Sequence, residues 1–233
     1  NDILEILENG NIGLKNPFHP DNSPADLIKI IKSLNERGIS CPVLLRVTDY
    51  LAFRIKQINN SFFRAIREIR YKGEYKGVFP VKVNQQAQVI DRIVEFGKEF
   101  DFGLEVGSKP ELLIALAHDL SANSTIICNG IKDREFIHLA ILSIKIGFKT
   151  ILVLESPREL DLIIKISKEL NVRPLLGIRV KLTNKVSGNW SQSSGDRSAF
   201  GLSVEQVMQV INKLKIYDYL DCLILQHSHL GSQ

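Results

Sequence analysis

Cysteine is scarce in this 233-residue sequence: Cys41, Cys128 and Cys222 are its only three, far apart and without a CxxC pair. That spacing argues against a thiolate zinc site and a disulfide framework, and it points to a reducing compartment, the cytoplasm by default. No apolar run reaches the about 20 residues needed to span a bilayer. The stretch Asn1 to Glu5 also lacks the basic segment and hydrophobic run of a secretory leader. Charge of one sign is in short supply too, with 30 Lys and Arg against 26 Asp and Glu and a net charge of +4. The basic residues are spread among the acidic ones rather than gathered into a stripe with aromatics, so neither nucleic acid nor membrane is an expected partner. Finally, there is no GxGxxG, which removes the phosphate-binding turn of a dinucleotide-binding sheet. With 44% hydrophobic and 24% charged residues the chain can still bury a sizeable core, in the range of one large domain.

What stands out against these absences is a lysine inside an apolar run, Gly77-Val78-Phe79-Pro80-Val81-Lys82-Val83-Asn84-Gln85-Gln86. Read as a strand, the run puts Val78, Pro80, Lys82 and Asn84 on one face and Phe79, Val81 and Val83 on the other. Lys82 then points into the sheet interior or a pocket. Shielding there favours the neutral, nucleophilic form of an amine, which suits condensation with a carbonyl. The ordinary alternative is a lysine that reaches from a strand end into water.

The segment to about Asn22 is polar and turn-rich. Ser23-Pro24-Ala25-Asp26 then predicts a helix, with Ser23 as its cap, Pro24 at its first position and Leu27, Ile30, Ile31 and Leu34 as its apolar stripe. Gly38 ends it. Pro42 to Val47 reads as a short strand, followed by a long amphipathic helix from about Asp49 to Ile69. From Gly77 onward short apolar strands alternate with helices: Val78 to Val83, Phe102 to Val106, Thr125 to Asn129, Thr150 to Leu154, Leu175 to Val180 and Cys222 to His227. This is the pattern of a parallel sheet covered by helices. A doubly wound sheet and a (β/α)8 TIM-type barrel both satisfy it. Lys82, Glu105, Asn129, Glu155, Arg179 and His229 fall at or just after successive strand ends, where barrel enzymes assemble their sites, and this favours the barrel. Six of the roughly eight strands are present. The sequence therefore reads as an incomplete barrel, broken off after His229-Leu230-Gly231-Ser232-Gln233.

Four segments carry a resemblance. Gly77 to Gln85, Gly103-Leu104-Glu105-Val106-Gly107-Ser108-Lys109-Pro110-Glu111-Leu112, Cys128-Asn129-Gly130-Ile131-Lys132-Asp133 and His227-Ser228-His229-Leu230-Gly231-Ser232-Gln233 resemble the biosynthetic arginine decarboxylases. These are pyridoxal-phosphate enzymes of the alanine racemase-like barrel class, which also holds the ornithine and diaminopimelate decarboxylases. The likeness runs from about Asp26 to Gln233; Gly188-Asn189-Trp190 and Phe200-Gly201-Leu202 are typical of the arginine branch.

The resemblance implies decarboxylation of L-arginine to agmatine and carbon dioxide in putrescine and spermidine biosynthesis. It implies pyridoxal 5'-phosphate held as a Schiff base on Lys82, with His229 stacked on the ring. Ser232 would donate to the phosphate, Gly231 would let the backbone approach it, and Arg179 would stand beside the ring. Glu105 and Glu111 would lie close by, able to orient Lys82 or Arg179; Glu105 joins Lys82 and His229 as catalytic. The loop from Lys181 to Phe200 would cover the site. Magnesium, with ligands unidentified, and a homo-oligomeric whole protein are implied as well. Residues 1–48 then form an N-terminal segment with one helix and a strand, and 49–233 a partial cofactor-binding barrel. A glycine-rich phosphate loop, the acidic partner of the pyridine nitrogen and a C-terminal β-domain would lie beyond Gln233, so this stretch alone is expected to be inactive. The alternatives are another barrel enzyme, such as diaminopimelate decarboxylase or an amino-acid racemase, and a catalytically silent regulatory homologue.

Overall fold

The computed structural model describes residues 3–182 and 200–230, divided between two compact units, Asn1–Tyr75 and Lys76–Gln233. In the first unit, β1 (Leu4–Ile6), β2 (Ile12–Leu14) and β3 (Ala25–Asp26) form a small antiparallel sheet. Its pairing of Gly13 with Asp26 keeps the chain extended through residue 26. That is why α1 (Leu27–Glu36) starts later than the Ser-Pro pair predicts: its cap is Asp26, whose Oδ1 accepts from the backbone N–H of Ile28 at 2.9 Å and of Lys29 at 3.2 Å. Gly38 ends the helix as expected, with a φ of +79°, while the N–H of Ile39 reaches the carbonyl of Leu34 at 2.9 Å. The strand expected over 42–47 does not form. This run joins neither sheet, and Leu44 is 73% exposed, since an apolar stretch becomes a strand only where an edge receives it. Helix α2 (Thr48–Glu68) follows, within one residue of the expected bounds.

The second unit is a six-stranded parallel sheet, in the order β4 (Val78–Pro80), β5 (Gly103–Val106), β6 (Thr125–Cys128), β7 (Lys149–Leu154), β8 (Leu175–Arg179) and β9 (Leu223–His227). Helices α3 (Ala87–Gly97), α4 (Lys109–Leu116), α5 (Arg134–Lys145), α6 (Pro157–Leu170) and α7 (Val204–Ile216) connect them. Among the described residues each strand lies beside its predecessor in the chain, with no switch point of the kind a doubly wound sheet uses for its ligand. Residues Thr150 to Leu154 of β7 are buried throughout, as a strand covered on both faces requires. Ile90, Leu104, Leu112, Ile137, Leu152 and Ile163 are among the fully buried side chains of the core. At Gly103 an added Cβ would lie 2.0 Å from the carbonyl oxygen of Thr125, so only glycine lets β5 and β6 approach this closely.

The first of these strands is shorter than predicted. It ends at Pro80, and Val81–Val83 form a single 3-10 turn. Val81 is fully buried and anchors the turn, while Lys82 and Val83 swing outward and are exposed. Lys82 therefore does not share a strand face with Val78 and Pro80. No helix among the described residues is long and apolar enough to cross a membrane.

Candidate active site

The parallel strands bring their carboxyl ends to one side, and there a cavity of about 560 Å³ is lined by Lys82, Glu105, Glu111, Asn129, Arg179, Phe200, His227 and His229, with Gly107 and Gly130. Five of the residues singled out from the sequence, Lys82, Glu105, Glu111, Arg179 and His229, meet at this wall. Gly231 and Ser232 lie outside the described residues, as does 183–199 of the expected covering loop.

Arg179 ends β8, directly across from His227 in β9. Its Nη1 donates to both carboxylate oxygens of Glu155, at 3.0 and 3.2 Å. The Glu155 side chain is only 1% exposed. The same carboxylate accepts from the backbone N–H of Gly130 at 3.0 Å. A charge-assisted pair this enclosed has one orientation, so the guanidinium is held rather than free to roam. The ring of Phe200 lies against its other side, 5.4 Å from the guanidinium carbon.

Among the described residues the hydrogen bonds of Glu105 and Glu111 go to groups other than Lys82 or Arg179. Glu105 Oε1 accepts from Asn129 Nδ2 at 2.9 Å. Glu111, buried at the start of α4, accepts from the Gly107 N–H at 2.7 Å and from Gln85 Nε2 at 3.4 Å, which ties down the loop ahead of its own helix. Lys82 is not shielded: it sits exposed at the rim, reachable from the cavity. Cys128 is the opposite case, since burial pushes its thiol up to about 12 and leaves it no role as a nucleophile.

Burial, and then the charge of Arg179, hold His227 and His229 below the usual histidine range; Lys82 adds to the effect at His229. Both imidazoles are thus biased toward the neutral form. Two buried polar atoms of the wall, Asn129 Oδ1 and His227 Nδ1, have no hydrogen-bond partner among the described residues. Such atoms are normally satisfied, so the wall has polar capacity to offer a bound group. Among the described residues, no group of three or more His, Cys, Asp or Glu could hold a metal ion.

Asn129 and Glu155 stood among the strand-end residues of the sequence without an individual role, and His227 was not singled out; the structure places Asn129 and His227 at the cavity and Glu155 on Arg179. The signal that could have found His227 is the alternation that puts it two residues from His229.

The family model described as "Pyridoxal-dependent decarboxylase, pyridoxal binding domain" matches residues 55–233. The biosynthetic arginine decarboxylase of Gloeobacter violaceus is 46% identical over 230 residues, which cover 99% of this chain and 36% of that relative. The same-named protein of a Nostoc species is 46% identical over 208 residues, covering 89% of this chain and 31% of the relative. Among solved structures, the biosynthetic arginine decarboxylase of Campylobacter jejuni matches all of this chain and 36% of its own, with a TM-score of 0.86 and 33% identity. The diaminopimelate decarboxylase of M. jannaschii reaches 0.71 at 21% identity over 100% of this chain and 49% of its own, a likeness of fold alone. The chain spans about a third of the length of the curated relatives it matches.

The wall suits the cofactor of that family on its own chemistry. It offers an amine at the rim, a fixed guanidinium, two imidazoles and the amide oxygen of Asn129, which answer to the aldehyde and polar substituents of a pyridoxal ring. The chain belongs to the pyridoxal-dependent decarboxylases, of which it carries the pyridoxal-binding domain.

Proposed function

We propose that the whole protein carrying this chain converts L-arginine to agmatine and carbon dioxide, with pyridoxal 5'-phosphate, as an entry step to polyamines. The observation that carries this is the convergence of Lys82, the Arg179–Glu155 pair and both histidines on one cavity at the ends of parallel strands. The names of the relatives support arginine as the substrate. The sequential strand order supports a sheet that closes into a barrel in the whole protein.

When bound, pyridoxal phosphate supplies the electron sink for the pair left behind by a departing carboxylate. The residues of this chain provide placement. Lys82, exposed at the rim, is the amine that would hold the cofactor's aldehyde and later carry a proton on Nζ. Arg179 presents a fixed positive charge to the cavity and disfavours protonation of the neighbouring imidazoles. A neutral His229 can lie against a ring without adding charge to it. Glu105, held by Asn129, keeps a carboxylate at the wall, while Asn129 Oδ1 and His227 Nδ1 are left to orient bound groups. Gly231 and Ser232 belong in the same proposal as phosphate contacts. So do a homo-oligomeric whole protein, a cytoplasmic location and a use for magnesium, whose ligands are not among the residues assigned here.

Borohydride reduction of the whole protein with pyridoxal phosphate, followed by peptide mapping, tests the central residue. The label is expected on Lys82, and Lys82→Ala is expected to lower kcat by roughly a hundredfold to ten-thousandfold. Label on another lysine, or none, rejects the assignment. A panel of arginine, ornithine and diaminopimelate decides the substrate, and turnover of diaminopimelate in preference to arginine would overturn that part.

A further inference from the structure

Behind the cavity wall lies a second ion pair, between Lys132 and Glu159, neither of which lines the cavity. The Lys132 side chain is 0% exposed and that of Glu159 5%. The Lys132 ammonium is fixed from two directions and paired from a third: Nζ donates to the carbonyls of Gly130 and Val153, each at 2.6 Å, and lies 3.2 Å from Glu159 Oε1 as an ion pair. Glu159 in turn grips two loops at once. Its Oε1 accepts from the backbone N–H of Lys132 at 2.8 Å, in the loop after β6, and its Oε2 from that of Glu155 at 2.9 Å, in the loop after β7.

Both gripped segments lead to the same place. Gly130 donates its N–H to the Glu155 carboxylate, and Glu155 is the residue that orients Arg179. The loop has little slack, because Gly130 has a φ of +74° and a Cβ there would lie 3.0 Å from the carbonyl oxygen of Gly107. A buried ion pair is weak evidence of stability, since apolar side chains of similar volume would fill the space without the cost of desolvating two charges. What charges add over apolar packing is direction, through hydrogen bonds fixed in angle.

We propose that Lys132 and Glu159 are positioning residues that set the direction of the Arg179 guanidinium through Gly130 and Glu155. This rests on the cavity being the pyridoxal-phosphate site proposed above.

The test is a double-mutant cycle in the whole protein, comparing wild type, Glu159→Gln, Arg179→Lys and the double variant. Two readouts are taken besides turnover: the dissociation constant of pyridoxal phosphate, and the pH midpoint of the absorbance change of the bound chromophore. Glu159→Gln puts an amide donor where one of the donors now points, and is expected to weaken cofactor binding at least tenfold and to move the pH midpoint. In the Arg179→Lys background the same change is expected to add less than twofold. If Glu159→Gln does not fold, the paired variant Lys132→Met with Glu159→Met, which leaves no unpartnered buried charge, replaces it in the cycle. A fall in melting temperature with both readouts unmoved overturns the proposal, as does a full multiplication of the two single effects. If the wild type takes no borohydride label at Lys82, the site reading itself fails; label at Lys82 with independent effects sinks only the positioning role.

Discussion

At the scale of single residues, the site depends on charges that are enclosed together. Replacing Arg179 with Met removes the counter-ion of the 1%-exposed Glu155 carboxylate and leaves it, among the described residues, the Gly130 N–H as hydrogen-bond donor. Breaking a buried pair from one side is strongly destabilising, so Arg179→Met is expected to cost about 3 kcal/mol, read from urea unfolding. A cost below about 1 kcal/mol would mean that water relieves Glu155. The histidines make a pH prediction. Their native values lie below the ordinary 6.5, so between those values and 6.5 the unfolded chain binds more protons than the native one. Stability from this source is complete above about pH 6.5 and is lost as the pH falls toward the native values. Urea midpoints from about pH 8 to about pH 5 should fall accordingly, and His227→Gln should flatten the curve. Lys82, Arg179 and His229 were legible in the sequence as charged or polar side chains at or just after the ends of apolar strands, where such a side chain gains little unless it faces a site. The pairing of Glu155 with Arg179 was not, because the two stand 24 residues apart and meet only through the register of β7 and β8.

At the scale of elements, the caps and close approaches decide where the chain turns. Hydrogen bonds, that from the Asn11 side chain above all, lower Asp26 to about 2 from an ordinary 3.8. A depressed carboxylate favours the native state above about pH 3.8, and that contribution disappears as the pH falls through about 2. Asp26→Asn should therefore remove the acid-sensitive step over that range, followed by hydrogen exchange in β1–β3 and α1; an unchanged step would place its origin elsewhere. Gly103→Ala tests the β5–β6 approach, where the obstacle is backbone and no rotamer change relieves it. It should cost at least the ~1–3 kcal/mol of an overpacked core, seen as a lower urea midpoint. Strand positions were readable to within a few residues because apolar runs and breakers alternate along the chain. Two details were not. Residues 42–47 have a strand's composition but no edge to join, and the turn at Val81–Val83 follows from how Val81 anchors in the core, a tertiary fact.

At the scale of the whole molecule, the order β4 to β9 follows the chain without a reversal, and the alternation of strand and helix was enough to predict a parallel sheet. Closure was not legible in the same way, because it depends on what meets the two outer strands. Among the described residues β4 and β9 each pair on one side only, which leaves rows of backbone donors and acceptors open. Beside β9 runs an apolar groove of about 340 Å³, lined by Ile178, Val180, Val207, Ile211, Leu223 and Leu225, and Ile224 is 50% exposed. An open edge next to uncovered apolar surface favours pairing with another chain. Residues 1–233 prepared alone are therefore expected to self-associate in sedimentation experiments, and Ile224→Lys should reduce that association by setting a charge on the edge. The whole protein, if its remaining length covers this edge, should sediment the same with and without the substitution. Monomeric behaviour of residues 1–233 at high concentration would show that the edge is already protected, and would weaken the case that the sheet needs further strands to close.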